Sequence, residues 1–448
     1  VPEAGPAWKD GAVRLVNASP TPRSIPRRDV QPSRPALGAG LIGLTTLDAA
    51  ARPPTPVTPR IVSSAHGPLR HLLLCYPDYA EGDFSLEESY TDLLRSLPPT
   101  CALTVLVHPA VAADFDRIAR RARPDDPPTV VEAPPWLAFS VWAEDGYVTV
   151  ADTGHDPART FLVEPFMFPR YGDGLIADLV AEATDLQSTQ VPLYFQGGNV
   201  LVGDDFLLIG TDYLVRTLET WRENEPVLLG EGSPSANARR LFTATFDPGR
   251  RLHFVGLTRP IPDDLLAPRP FRQDGERWVE EVGAGAGSLQ PVFHIDMFLS
   301  LAGRDPASGR YRVLVGSPTE AAAILGEPVP DHALPRAFDE IARRLERLGF
   351  EVVRTPLPRT YVDYPEERLR VWYFATSNNC LVEITEGSRR VWLPTYGHGP
   401  WAHLQATDEA NRAVWEGLGF EVVQLGDYHR FAQNFGALHC IKKYLDRG

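Results

Sequence analysis

The hexapeptide Leu-Gly-Phe-Glu-Val-Val occurs twice in this chain, at Leu348–Val353 and again at Leu418–Val423. Each copy ends an amphipathic stretch, Leu334–Leu348 or Thr407–Leu418, whose apolar residues recur at helical spacing. Each then runs into a β-branched segment. The glycine falls where a helix C-terminus needs a positive φ, which glycine adopts at least cost. A helix–Gly–strand unit used twice predicts an α/β array of similar modules, with closure into a ring as its natural limit.

The rest of the chain fits such an array. Strands are expected at Leu69–Pro77, Ala102–Val107, Thr129–Val131, Val141–Val150 and Phe161–Pro165. Helices are expected from Leu86 to Leu97, behind a Ser85–Glu88 capping box, and over Ala110–Ala122 and Leu175–Ala183. Val191–Tyr213 reads as a hairpin turning near Gly203–Asp205. Val292–Leu301 and Tyr311–Ser317 read as neighbouring strands, followed later by Val371–Ile384, Arg390–Pro394 and Phe420–Leu425. Residues 215–290 carry no clear pattern, and Thr258–Phe271 reads as a Pro-rich loop over or beside a site. Residues 1–62 are rich in Pro, Arg, Ala and Ser and read as a Pro-rich N-terminal arm, partly disordered. Within it, Leu37–Leu47 is apolar enough to dock on the body formed by residues 63–448.

Composition bounds the partners. The formal net charge of −14 disfavours nucleic acid and favours cationic ligands. No apolar run of ~18 residues predicts a membrane span. The four cysteines, Cys75, Cys101, Cys380 and Cys440, form no C-x-x-C pair, which argues against a zinc ribbon or a disulfide framework. No signal peptide is visible, and a soluble protein, cytoplasmic or secreted, is expected. The basic residues are nearly all arginine, with lysine only at Lys9, Lys442 and Lys443, and this reads as coding bias.

Four short stretches hold residues suited to chemistry. Phe435–Lys443 contains the pair His439 and Cys440, Phe293–Ser300 contains His294 and Asp296, Trp142–Tyr147 contains Asp145, and Phe195–Leu201 contains Gly197, Gly198 and Asn199. Each has a bland alternative. Cys440 alone fits a buried small hydrophobe, His294 and Asp296 a structural pair at a strand end, Asp145 a turn aspartate, and the double glycine a plain turn. On a strand His294 and Asp296 share a face, and His439 points away from Cys440. Together the stretches supply a thiol, an imidazole and two carboxylates, a set suited to covalent attack on a planar cation such as guanidinium. Cys440 needs activation, since an unperturbed thiol is only about 3% thiolate at pH 7. A metal site using His398, His403, His439 and Cys440 competes, but its spacing matches no standard zinc pattern. Ser/His/Asp hydrolysis lacks its G-x-S-x-G elbow.

With these stretches in hand, the chain resembles the guanidino-group-modifying enzymes of the pentein superfamily, and most of all the catalytic domain of peptidylarginine deiminases. The likeness runs from about residue 65 to the end. FHIDMFLS and the strand YRVLVGSP resemble that family's H-x-D stretch and the strand after it. VWAEDGYV resembles its W-x-x-D segment, SNNCLVEI with RRVWLPTYG its late strand pair, and DYHRFAQNFGALHCI its nucleophile segment. The resemblance implies a five-module α/β propeller over residues 63–448. It implies Cys440 as nucleophile, His294 as general acid/base, and Asp145 and Asp296 as carboxylates gripping the guanidinium, with Trp142, Gly198 and Asn199 lining the substrate. The implied reaction turns arginine, first of all in peptides or proteins, into citrulline and ammonia through a Cys thiouronium.

Departures qualify this. Related arginine and agmatine deiminases carry a carboxylate just before the double glycine, where this chain has Gln196. That leans away from free arginine. The calcium of the animal peptidylarginine enzymes finds one ligand in Glu144, but Val148 stands where another acid is expected. No cofactor is expected, with calcium left open. Amidinotransfer, action on a free small guanidine, and a non-catalytic binding protein of the same fold are the alternatives. Oligomeric state is not readable.

Overall fold

The computed structural model describes residues 55–80, 85–230 and 232–447. The Pro-rich arm up to residue 54, with Leu37–Leu47, lies outside them. The arm's last part is not free of the body: Pro59–Ile61 pairs antiparallel with Val148–Asp152 as an edge strand.

One topology recurs five times among the described residues: two antiparallel strands, then one or two helices, then a third strand parallel to the second. The first unit joins Lys442–Asp446 to His71–Tyr76, crosses through the helix Glu87–Ser96 and returns as Ala102–Val107. The second uses Val148–Asp152, Arg159–Glu164, helix Ile176–Ala183 and Gln187–Gln190. The third uses Val200–Val202, Phe206–Gly210, helices Thr211–Asn224 and Pro234–Phe246, and Arg251–Val255. Leu299–Arg304, Tyr311–Ser317, helix Pro335–Arg347 and Glu351–Pro356 make the fourth. Leu381–Ile384, Arg389–Thr395, helix Gln405–Gly417 and Glu421–Asp427 make the fifth. The repeated hexapeptide is the helix-to-third-strand corner of units four and five, where Gly349 and Gly419 take φ of +96° and +85°. The fourth unit's crossover packs an apolar helix face on its strands, at Phe338, Ile341 and Leu345, all buried.

Residues 215–290, featureless in sequence, contain the third unit's helices and part of an added sheet. That sheet runs Arg269–Gln273, Glu276–Glu281, Leu369–Phe374, Arg359–Tyr364 and lies outside the five units. The expected loop Thr258–Phe271 thus ends in a strand. Three long strand expectations shrink. Val141–Val150 is strand only from Val148, Val292–Leu301 only from Leu299, and Val371–Ile384 is broken between Phe374 and Leu381. In each case the missing part is the approach to a unit's first or second strand, and these approaches build the site.

Candidate active site

Each unit contributes the residues just ahead of its first strand. Cys440 precedes Lys442, Asp145 precedes Val148, Gly198 and Asn199 precede Val200, Asp296 precedes Leu299, and Asn379 precedes Leu381. Hydrogen bonds link these approaches in a complete circuit. Glu144 N donates to Cys440 O (3.1 Å), and Gly197 N to Asp145 O (3.1 Å). Ile295 N donates to Asn199 Oδ1 (2.9 Å), Asn379 Nδ2 to Met297 Sδ (3.5 Å), and His439 N to Asn379 Oδ1 (2.8 Å).

His294 and Asp296 do not sit on a strand. Ile295–Met297 is a 3₁₀ turn, with His294 extended just before it. The side chains still converge, because both press against Gly198. A Cβ there would lie 2.5 Å from His294 Nδ1 and 3.1 Å from Asp296 Oδ2. Gly197 has the same function for a different pair: a Cβ would meet Lys443 Nζ at 2.7 Å and Glu144 Oε1 at 2.9 Å. The double glycine therefore leaves room for the side chains that pack on it.

His294 Nε2–H donates to Gln196 Oε1 (2.9 Å), which leaves Nδ1 as the acceptor, 3.7 Å from Asp145 Oδ1. Burial drives its pKa well below the usual histidine range, and the Arg170 charge adds to this, so the imidazole is neutral. Cys440 is buried. Its Sγ receives Asn379 Nδ2 at 3.2 Å and lies 3.6 Å from Asp296 Oδ2. Burial, and then the charges of Asp296 and Asp145, push the thiol well above its ordinary value, so it is protonated. Asp296 is pushed up by burial and by Asp145 and Glu144, and Asp145 is raised by burial against the pull of Arg170. His439 and Cys440 lie in a turn rather than a strand, and both reach Asp296: His439 Nδ1–H donates to Asp296 Oδ2 at 2.9 Å.

Two of the expected substrate contacts have other partners. The Asn199 amide pairs with Gln290 and takes Ile295 N–H, so it holds the His294 turn from behind. Trp142 is a buried wall, its ring against Gly436 and edge-on to Phe431. Glu144 is not free for calcium: Lys442 Nζ takes Oε2 at 2.8 Å and Lys443 Nζ takes Oε1 at 3.0 Å. Among the described residues no group of His, Cys, Asp and Glu could hold a metal ion, and His398 bonds Thr395 Oγ1 instead (2.7 Å). No helix there is long and apolar enough to cross a membrane.

Four residues had no role in the sequence reading. Arg170 Nη2 donates to Asp145 Oδ2 at 2.7 Å while its Nε pairs with Asp173, itself fixed by Ser140. Asn379, known only as part of a strand pair, holds the His439–Cys440 backbone and the thiol together. Lys442 and Lys443 are both buried. An adjacent lysine pair next to the nucleophile, in a chain nearly free of lysine, was the available signal.

Among the described residues, four buried atoms of this cluster lack a hydrogen-bond partner: Asp145 Oδ1, Asp296 Oδ1, His294 Nδ1 and His439 Nε2. With Nε2–H of His294 and Nδ1–H of His439 already donated, all four are acceptors. Such a set is costly to bury alone and is matched by a planar cation rich in N–H donors.

No protein-family model and no curated protein matches the chain. Solved structures do. Agmatine deiminase of Enterococcus faecalis aligns at 15% identity and TM-score 0.54, over 88% of this chain and 97% of that one. Agmatine deiminase from C. jejuni aligns at 14% identity and TM-score 0.53, over 86% and 96%. The chain shares the mixed α/β fold of these two structures.

Proposed function

We propose that this protein hydrolyses the guanidinium group of a small guanidine to a ureido group and ammonia, through a covalent adduct on Cys440. The observation that carries this is the four-acceptor cluster beside a thiol. We also propose that the five units close into a propeller, with the hydrogen-bonded circuit of approaches at its centre.

Asp145 and Asp296 grip the guanidinium nitrogens by charge-assisted hydrogen bonds and hold its carbon near Sγ. The bound cation replaces the missing positive charge beside Cys440. The thiol then loses its proton to His294 Nδ1 and sulfur adds to the carbon. His294 returns the proton to departing ammonia, leaving the S-alkylthiouronium. It next accepts a proton from water, whose oxygen adds to the same carbon, and the C–S bond breaks to release the ureido product and the thiol. No step calls for a cofactor.

The resemblance seen in the sequence pointed first to arginine in peptides. Two observations move the choice to a small guanidine. The solved proteins that share the fold over nearly their whole length are named for agmatine. Cys440, His294, Asp145 and Asp296 are each at most 4% exposed, so the substrate must be enclosed. The test is ammonia and ureido release from agmatine, free arginine and a blocked arginine ester in parallel. Turnover of agmatine or free arginine supports the proposal. Turnover of the blocked ester alone returns the choice to peptidyl arginine, and release only with an added amine acceptor makes the protein an amidinotransferase.

Gln196 sets a second expectation. A neutral amide facing His294 Nε2 does not favour imidazolium as a carboxylate does. Gln196→Glu is expected to raise the His294 pKa and to move the pH–rate profile up by about 1 unit or more. A profile that stays in place argues against His294 as the acid/base.

A further inference from the structure

Two of the chain's three lysines are adjacent, buried, and turned on one carboxylate. They are not equivalent. Lys443 Nζ has three oxygen acceptors, Glu144 Oε1 (3.0 Å), Glu144 O (3.2 Å) and Tyr147 O (2.5 Å), which match its three N–H donors. Lys442 Nζ has Glu144 Oε2 at 2.8 Å and the face of Tyr444 at 3.8 Å. One glutamate cannot neutralise two ammonium groups, and a buried charge left unpaired is costly. Compensation falls to the remaining carboxylates of the cluster.

A path leads to one of them. The Tyr444 ring under Lys442 lies 5.9 Å, edge to face, from the His439 ring, and His439 Nδ1 is 2.9 Å from Asp296 Oδ2. Pairwise contacts thus connect ammonium, phenol ring, imidazole and carboxylate, and the Arg447 guanidinium also lies over the Tyr444 ring, at 4.5 Å. Asp296 needs such support. It is buried, it makes no ion pair with Lys or Arg among the described residues, and Asp145 and Glu144 both oppose its ionisation. The other groups facing it are Cys440, His439 and His294, which are uncharged in the free protein.

We propose that Lys442 is a positioning residue whose ammonium, uncancelled by Glu144, holds Asp296 ionised in a dry site and so sets the acid edge of activity. This rests on the reading that Asp296 grips a guanidinium.

A fixed charge makes a prediction of sign that a packing role does not. Lys442→Met removes the positive charge and is expected to move the acid limb of kcat/KM up by about one pH unit or more. Glu144→Gln removes the opposing negative charge and is expected to move it down. Lys442→Arg restores the wild-type limb. The same variants are followed by the pH titration of the Asp296 carboxyl carbon in free protein labelled with ¹³C-aspartate, which needs no turnover. There Lys442→Met raises the midpoint and Glu144→Gln lowers it. Shifts of the same sign in both variants, or none in either, overturn the proposal. Should Lys442→Met not fold, Lys442→Gln takes its place: an upward shift supports the proposal and any other result overturns it. Should no guanidine be turned over by the wild type, the proposed function fails, while the Asp296 titration midpoints still judge Lys442.

Discussion

Cys440→Ala is expected to lower turnover of the best guanidine substrate by about 10⁴-fold or more, with binding largely kept. The acceptors proposed to grip the cation belong to Asp145, Asp296, His294 and His439, and none depends on sulfur. The covalent route through Cys440 is lost. The fold should survive. Trimming one sulfur from a buried side chain costs about 1 kcal/mol, and Asn379 keeps its bonds to the backbone of residues 439 and 440. The check is ammonia release alongside a thermal melt and a substrate-binding titration. A folded alanine variant that turns over normally removes Cys440 from the chemistry.

The second large effect is expected from a residue with no side chain of its own. In Gly198→Ala the new methyl would stand 2.5 Å from His294 Nδ1, the atom proposed to carry the proton, and 3.1 Å from Asp296 Oδ2. The imidazole has little room to retreat. Nε2 is tied to Gln196, Phe293 lies 4.1 Å away centroid to centroid, and Tyr213 stands edge-on at 6.1 Å. A shift of about 1 Å in a positioned group costs on the order of 10² in rate. Overpacking of this kind destabilises by about 1–3 kcal/mol. We therefore expect kcat to fall about 100-fold in a protein that still folds, measured by steady-state kinetics and circular dichroism. An unchanged kcat would mean that His294 does not act from the position described.

The four residues singled out from sequence do lie together, and the reason they were legible is local. His439–Cys440, His294-x-Asp296 and Asp145 each stand in a short apolar or aromatic stretch where a polar side chain needs a partner. What stayed hidden depends on distant pairing. Glu144 is answered from 298 positions away by Lys442, and Asn379 reaches Cys440 across 61. No local pattern encodes either, and the lysine pair was discounted as composition. The strand reading of Val141–Val150 failed for a physical reason. Ser140 bonds Asp173, and Gly146 sits so close to Asp173 O (2.9 Å from a built Cβ) that the chain turns there instead of extending. The repeated hexapeptide revealed two units of five; the other three share the topology without the sequence.

The sheet of the first unit has a consequence for the making of the protein. His71–Tyr76 pairs with Ala102–Val107 on one side and with Lys442–Asp446 on the other. On the ribosome the first neighbour arrives almost at once, the second only about 370 residues later. At about 5–20 residues per second, that leaves the leucine-rich edge open for roughly 20–70 s. An open apolar edge is a template for pairing with another chain, so aggregation competes with folding throughout that interval. The strand that finally covers it follows directly on Cys440. Sealing the edge and bringing the thiol to Asn379 and Asp296 are one event.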